Sequence, residues 1–190
     1  MRELTMADIE ASELSPTALG LRMAVVEVER HVSDSGWDQP SRLFALVPTD
    51  ELAAAEPQLA AELGVGDGSQ QLLTPIEQEL DDHTISLEQL LGEIMWPVSV
   101  VGALAVLERV VLPPPAEEAV PADPAEAAEF AASHADRQDV RIAVGVLRSG
   151  EAHGVLRLRS HDDDNSLIHG ADVVPDLVAA LRETLVEYDE

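Results

Sequence analysis

The stretch that decides the fold lies late in the chain, where residues 140–159 read VRIAVGVLRSGEAHGVLRLR. Apolar and polar residues alternate on both sides of Arg148-Ser149-Gly150, which is typical of two strands joined by a short loop. Glycine as the last loop residue suits the left-handed conformation that a three-residue hairpin loop requires. We therefore predict a hairpin with strands at 140–147 and 155–159.

This hairpin is also the one basic island in the chain. In the predicted register Ile142 opposes Leu156 on the core face, while Arg141 opposes Arg157 on the other face, close to Arg159. Two guanidinium groups directly across a strand pair repel each other unless carboxylates or a bound anion lie over them. Arg141, Arg157 and Arg159 are therefore a candidate site for a small anion or for an acidic protein. Alternatively, carboxylates of the same chain cover the pair, as is usual for arginine.

The first predicted helix runs from about residue 16 to residue 32. Ser15 precedes Pro16, and this pair is typical of an N-cap followed by the first helical position, while Gly36 provides a stop. One apolar side of this helix consists of Leu21, Val25, Val28 and Val32, and the opposite apolar side consists of Leu19, Met23 and Val26. A helix with two apolar sides is usually held between two surfaces. We expect one to be the sheet and the other to be a second helix or a second subunit.

The rest of the chain alternates between strand and helix patterns. Further strands are predicted at 42–47, 72–80 and 100–112, and further helices at 51–63, 86–95 and 125–135, with a last helix capped by Asp172. The segment 100–112 is apolar on both faces, which favours a central strand, whereas Pro75 favours an edge. The predicted class is α+β: one mixed, mainly antiparallel sheet of about five strands with helices packed on it.

The whole chain, residues 1–190, is predicted to form a single domain around one core. Four of its twelve prolines lie in the acidic stretch 113–123, which we interpret as a stiff connection that separates two lobes or two elements of one lobe. A chain of this length buries a sizeable core without help from metals or disulfides.

Composition excludes several classes of function. The 190 residues carry 37 acids against 11 bases, all arginine, for a formal net charge of -26. Such a chain repels nucleic acid and anionic membranes. No apolar run reaches the roughly 20 residues of a membrane span, and segment 1–13 has no features of a secretory signal. We expect a cytoplasmic protein. The absence of cysteine excludes disulfides and thiolate chemistry.

One loop resembles a metal site. His161, Asp162 and Asp164 lie close together after the last predicted strand, and carboxylates with imidazole suit a divalent ion. Their order matches no standard metal-binding motif, and loops rich in Asp and Asn are common without a metal. The glycines at 64, 66 and 68 follow a helix and lack the ending of a phosphate loop. We identify no catalytic residue and expect no cofactor.

Several strings together resemble a known family. They are Gly36-Trp37-Asp38-Gln39-Pro40, Arg42 to Val47, Trp96-Pro97, Glu108-Arg109 with Leu112-Pro113, and Leu156 to Arg159. Over most of its length the chain resembles an uncharacterised actinobacterial family of conserved hypothetical proteins. The resemblance implies a bacterial cytoplasmic origin and implies no activity.

The sequence leaves two functional hypotheses open. The first is a non-enzymatic binding protein that self-associates, as a homodimer, through Leu19, Met23 and Val26. The alternative is a small-anion-dependent or metal-dependent enzyme that uses the arginine hairpin and the loop from His161 to Asp164.

Overall fold

Six strands form one antiparallel sheet in the computed structural model, which describes residues 14–55, 58, 72–79 and 86–186. The strands are β1 (Arg42–Pro48), β2 (Leu73–Glu77), β3 (Gly102–Val111), β4 (Gln138–Leu147), β5 (Ala152–Leu158) and β6 (Ile168–Gly170). They lie in the order β2-β1-β3-β4-β5-β6, and each neighbouring pair described is antiparallel. The predicted α+β class is confirmed, with six strands in place of about five.

Six α-helices accompany the sheet in the described part of the chain. They are α1 (Pro16–Ser33), α2 (Thr49–Ala55), α3 (Leu87–Glu93), α4 (Pro114–Glu117), α5 (Pro124–Ser133) and α6 (Pro175–Glu183). The Ser15 hydroxyl caps α1 by accepting a hydrogen bond from the Ala18 amide at 3.1 Å, and Gly36 has a φ of 82° after the helix end. Both predicted signals are confirmed. None of the described helices combines the length and apolar character that crossing a bilayer requires.

The predicted hairpin is present with its predicted register. Ile142 pairs with Leu156, and Arg141 pairs with Arg157, across β4 and β5. Gly150 has a φ of 106°, the left-handed conformation expected of the loop. The hairpin is confirmed because alternation and a turn glycine are local signals that agree with each other.

Both faces of the sheet are covered. On one face α1 packs over an apolar cluster from β1, β3, β4 and β5 that includes Leu104. On the other face α3 and α6 cover a second cluster that includes Ile142 and Leu181. The helix α1 thus buries its side with Leu21 and Val25 against the sheet, as predicted.

The proline-rich connection joins two neighbouring strands. β3 ends at Val111, before the connection, and β4 begins at Gln138, after it, and the two strands pair along their whole lengths. The connection itself contains the one-turn helix α4. Strands from both halves of the chain therefore contribute to the same sheet.

Two predictions at the C-terminal side were wrong in detail. The strand β6 is not predicted by the sequence, because a strand of three residues has no detectable period. Asp172 does not cap the last helix, which begins at Pro175 after Val174 without a side-chain cap. In contrast, Pro75 lies in the edge strand β2, as predicted. The glycines at 64, 66 and 68, and most of the helix predicted at 51–63, lie outside the described residues.

Candidate functional site

Three charged side chains form a row across the sheet beneath α1. Glu108 on β3 is the register partner of Arg141 on β4, which is the partner of Arg157 on β5. Arg141 is 0% exposed and Arg157 is 2% exposed. The sheet face that carries the arginine pair is covered by the first helix, so the pair lies in the protein interior.

Glu29 covers the row from above. This α1 residue is 0% exposed, and its two carboxylate oxygens accept hydrogen bonds from Nε and Nη2 of Arg157 at 2.7 and 2.8 Å. Such a two-point charged contact is among the strongest that a side chain makes. The hydrogen bonds that Arg157 donates to Glu29 are the main reason that the pKa of Arg157 is raised above its ordinary value.

Arg157 also binds the loop that follows β5. Its Nη1 donates to Asp162 at 3.2 Å and its Nη2 donates to Asp164 at 2.7 Å. The bond from Arg157 is the main cause of a lowered pKa at Asp164. Three carboxylates of this chain, from a helix and a loop, therefore converge on one guanidinium.

Arg141 has a different set of neighbours. Its Nε and Nη2 donate to one oxygen of Glu108 at 3.2 and 2.8 Å, and Nη2 also donates to the carbonyl of Gly36. The ring of Trp37 stacks at 4.5 Å from the guanidinium. Among the described residues Nη1 has no hydrogen-bond partner, and an oxygen of Glu29 lies 3.9 Å from it.

Arg159 belongs to the rim of this cluster. Its side chain is 42% exposed, and its two Nη atoms donate to the two oxygens of Asp38 at 3.0 Å each. These bonds are the main cause of the lowered pKa of Asp38. Arg159 is thus the one residue of the predicted anion site that solvent reaches readily, and it too contacts a carboxylate of its own chain.

The structure does not bring the three predicted metal ligands together as a coordination site. Asp162 and Asp164 point to Arg157, and His161 Nδ1 lies 3.0 Å from the hydroxyl of Ser160. Within the described ranges no group of three or more His, Asp or Glu side chains is placed to hold a metal ion. The loop resembled a metal site because its two carboxylates lie close together, and here they bind a guanidinium.

Sequence reasoning missed Glu29 and Trp37 as members of the cluster. Glu29 lies one residue after the buried Val28, and a carboxylate so close to a buried stripe is a signal for a buried partner. The Trp37 indole donates to Asp162 at 2.9 Å as well as stacking on Arg141.

A second candidate surface lies on the outer side of α1. Leu19 is 36% exposed and Met23 is 51% exposed, whereas Val26 is partly buried against the core. Beside them an open groove of about 720 Å³ runs between α1 and the segment leading into β6. The groove is lined by Leu19, Arg22, Met23, Val26, Glu27, Arg30, His31, Asp34, Asp164, Leu167 and His169. All three residues of the predicted interface therefore lie together on this groove.

The groove contains a cationic residue that has no charged partner within the described part of the chain. Arg22 is half-buried, and it makes no ion pair or hydrogen bond with the other described residues.

Two histidines lie close together near the groove. Nε2 of His153 lies 3.4 Å from Nδ1 of His169. Burial, then His169 and Arg22, lowers the pKa of His153 to about 4, so this imidazole is neutral at pH 7.

Comparison with known protein families identifies one for this chain. A family model described as PPA1309-like protein matches residues 21–186, from α1 to the end of the described residues. No curated protein and no solved structure matches the chain. The resemblance to a family of uncharacterised proteins is confirmed by the match. Because the matched span covers most of the 190 residues, the chain belongs to the PPA1309-like protein family.

Proposed function

We propose that the protein is a non-enzymatic binding protein that associates with a second copy of itself, as a dimer, through the outer side of α1. One observation carries the proposal: Leu19 and Met23 are exposed on a helix whose opposite side is completely buried on the sheet. Apolar side chains grouped beside an open groove are typical of interaction surfaces. The core uses the inner side of α1, and a second copy would use the outer side.

Charge supports this surface over other parts of the exterior. Two copies with a formal charge of -26 each repel one another. Around the groove the balance is much closer to neutral: Arg22 and Arg30 lie among three carboxylates, from Glu27, Asp34 and Asp164. Two copies that meet through this face therefore repel each other less than two copies that meet through the rest of the acidic surface.

The enzyme alternative has less support from the contacts. A small anion at Arg141 or Arg157 has to displace Glu29 or Glu108, which already occupy the guanidinium groups. An acidic protein at Arg159 has to displace Asp38. The proposal therefore includes no catalytic residue and no cofactor. It places the protein in the cytoplasm of an actinobacterium. It includes no nucleic-acid partner, because the net negative charge opposes binding to phosphate backbones.

Light scattering after size-exclusion chromatography tests the proposal. We expect the wild-type protein to change from one chain to two chains in mass as its concentration rises through the micromolar range. Met23→Glu is expected to weaken the association by about tenfold or more, because it buries an unpaired charge in the interface. Met95→Glu is the matched control, since Met95 is 69% exposed and its chain neighbours Ile94 and Trp96 pack on the cluster of the other sheet face.

Circular dichroism must first show that both variants are folded. A wild-type protein that is monomeric at every concentration contradicts the proposal. So does an equal loss of association in the Met23 and Met95 variants, because the effect is then one of added charge and not of the α1 surface.

A further inference from the structure

We infer that the two copies join through α1 packed against α1 in the parallel direction, about a twofold axis along the helices, with Arg22 of each copy beside Glu27 of the other. The inference rests on the proposed self-association and adds the orientation and the contacts of the partner. It is carried by the spacing of the apolar residues and by the positions of two charges that have no partner among the described residues.

The outer row of α1 has the spacing of a helix pair. Leu19, Met23, Val26 and Arg30 are separated by four, three and four residues, which is the alternation of positions d and a in a heptad. The first three are apolar. Arg30 at the following position has its charge balanced by Asp164, whose Oδ2 lies 3.2 Å from Arg30 Nε. A polar residue at one such position is a common way to set register and partner number.

Arg22 and Glu27 lie on opposite flanks of that row. Arg22 precedes Met23, which makes it position g, and Glu27 follows Val26, which makes it position e. Neither side chain forms an ion pair or a hydrogen bond with the other described residues. Arg22 is half-buried on the groove and Glu27 is exposed, so each is placed to meet a group from outside its own chain.

The two flanks decide the direction of the second helix. A twofold axis along the helices places the g flank of one copy beside the e flank of the other, so that each Arg22 meets a Glu27 five residues later. A twofold axis perpendicular to the helices makes them antiparallel. It places the e flank of one copy beside the e flank of the other, and the g flank beside the g flank. The flank with Glu27 and Asp34 then faces its own acidic copy. Charge complementarity therefore favours the parallel arrangement.

Cysteine cross-linking tests the direction, and the chain suits the method because it contains no cysteine. Leu19→Cys and Val26→Cys are made separately and oxidised mildly at a concentration where the protein is dimeric. In a parallel pair each position lies beside its own counterpart, within the short Cα separation that a disulfide requires. We expect both variants to become disulfide-linked dimers on a non-reducing gel, and Met95→Cys to remain a single chain.

An antiparallel pair gives a different pattern. The two positions are seven residues apart, about 10 Å along a helix. If one lies at the axis of an antiparallel pair, the other is about 20 Å from its counterpart and does not link. Cross-linking at only one position overturns the inference while self-association stands. Cross-linking at Ile168→Cys alone overturns it in favour of pairing through the edge strand β6, where Ile168 is 47% exposed.

Charge exchange is the second arm, measured at low salt so that screening is small. Arg22→Glu and Glu27→Arg are each expected to weaken association about tenfold, since each places like charges together at two symmetric contacts. The double variant restores opposite charges and is expected to associate within about threefold of the wild type. Failure of the double variant to recover overturns the inference. A wild-type protein without self-association contradicts the proposed function itself, so the two failures are distinguishable.

Discussion

Glu29→Gln is expected to lower the free energy of unfolding by about 3 kcal/mol, because it leaves two buried guanidinium groups without their shared carboxylate. Glutamine keeps the shape of the side chain but offers one neutral acceptor in place of two charged ones. Asp162 and Asp164 still contact Arg157, so the loss stays at the lower end of the range for a broken buried pair. Urea unfolding followed by circular dichroism measures it.

The matched control is Glu27→Gln on the same helix. Glu27 is exposed and has no described ion pair, so its change is expected to stay within about 0.5 kcal/mol. Both variants are compared at the lowest workable concentration, because association with a second copy adds stability by mass action. Equal effects at positions 29 and 27 would mean that the Glu29 contacts do not stabilise the fold.

Leu104→Ala is expected to lower the free energy of unfolding by about 2 to 5 kcal/mol. Leu104 is 0% exposed in the central strand β3, in the cluster beneath α1, and its removal leaves a cavity that neighbouring side chains fill only in part. Val110→Ala in the same strand is the control, since Val110 is 41% exposed. We expect the control to lose less than about 1 kcal/mol by the same urea assay.

A loss at Leu104 no larger than that at Val110 would contradict the placement of β3 in the middle of a sheet covered on both faces. The midpoint of unfolding, and not the slope, should change in each variant if both unfold in one step.

Local signals predicted much of this fold correctly. The hairpin register follows from alternation around Gly150, and the start of α1 follows from Ser15 and Pro16. The central position of β3 follows from its apolar residues on both faces. In each case the residues that carry the signal are neighbours along the chain, so their preference is visible without knowledge of the rest.

Contacts between distant parts of the chain could not be predicted from such local signals. The sequence shows that Arg141 and Arg157 need carboxylates, and it offers 37 acids as candidates. The carboxylate that binds Arg157 belongs to Glu29, which is 128 residues away along the chain. Its identity depends on how α1 crosses the hairpin. Asp162 and Asp164 were interpreted as metal ligands for the same reason. In the sequence, a pair of carboxylates that binds a metal ion cannot be distinguished from a pair that binds a distant guanidinium.

The buried cluster links the fold to the proposed function. Glu29 and the buried apolar side of α1 together fix the rotation of the helix about its own axis, with the Glu29 carboxylate bound to Arg157. With that rotation, Leu19 and Met23 face outward and Arg22 lies on the groove. An ion pair between the first helix and the hairpin thus helps to set which side of α1 is free for self-association.

A double-mutant cycle between Glu29 and Arg157 tests this link most directly. Glu29→Met, Arg157→Met and the double variant are compared with the wild type by urea unfolding. Because an apolar pair replaces a buried ion pair at little cost, whereas either single change leaves an unpaired charge, the double variant should lose at least about 2 kcal/mol less than the sum of the single losses. Losses that add to within about 0.5 kcal/mol would contradict the account, since α1 would then lack the contact that orients it.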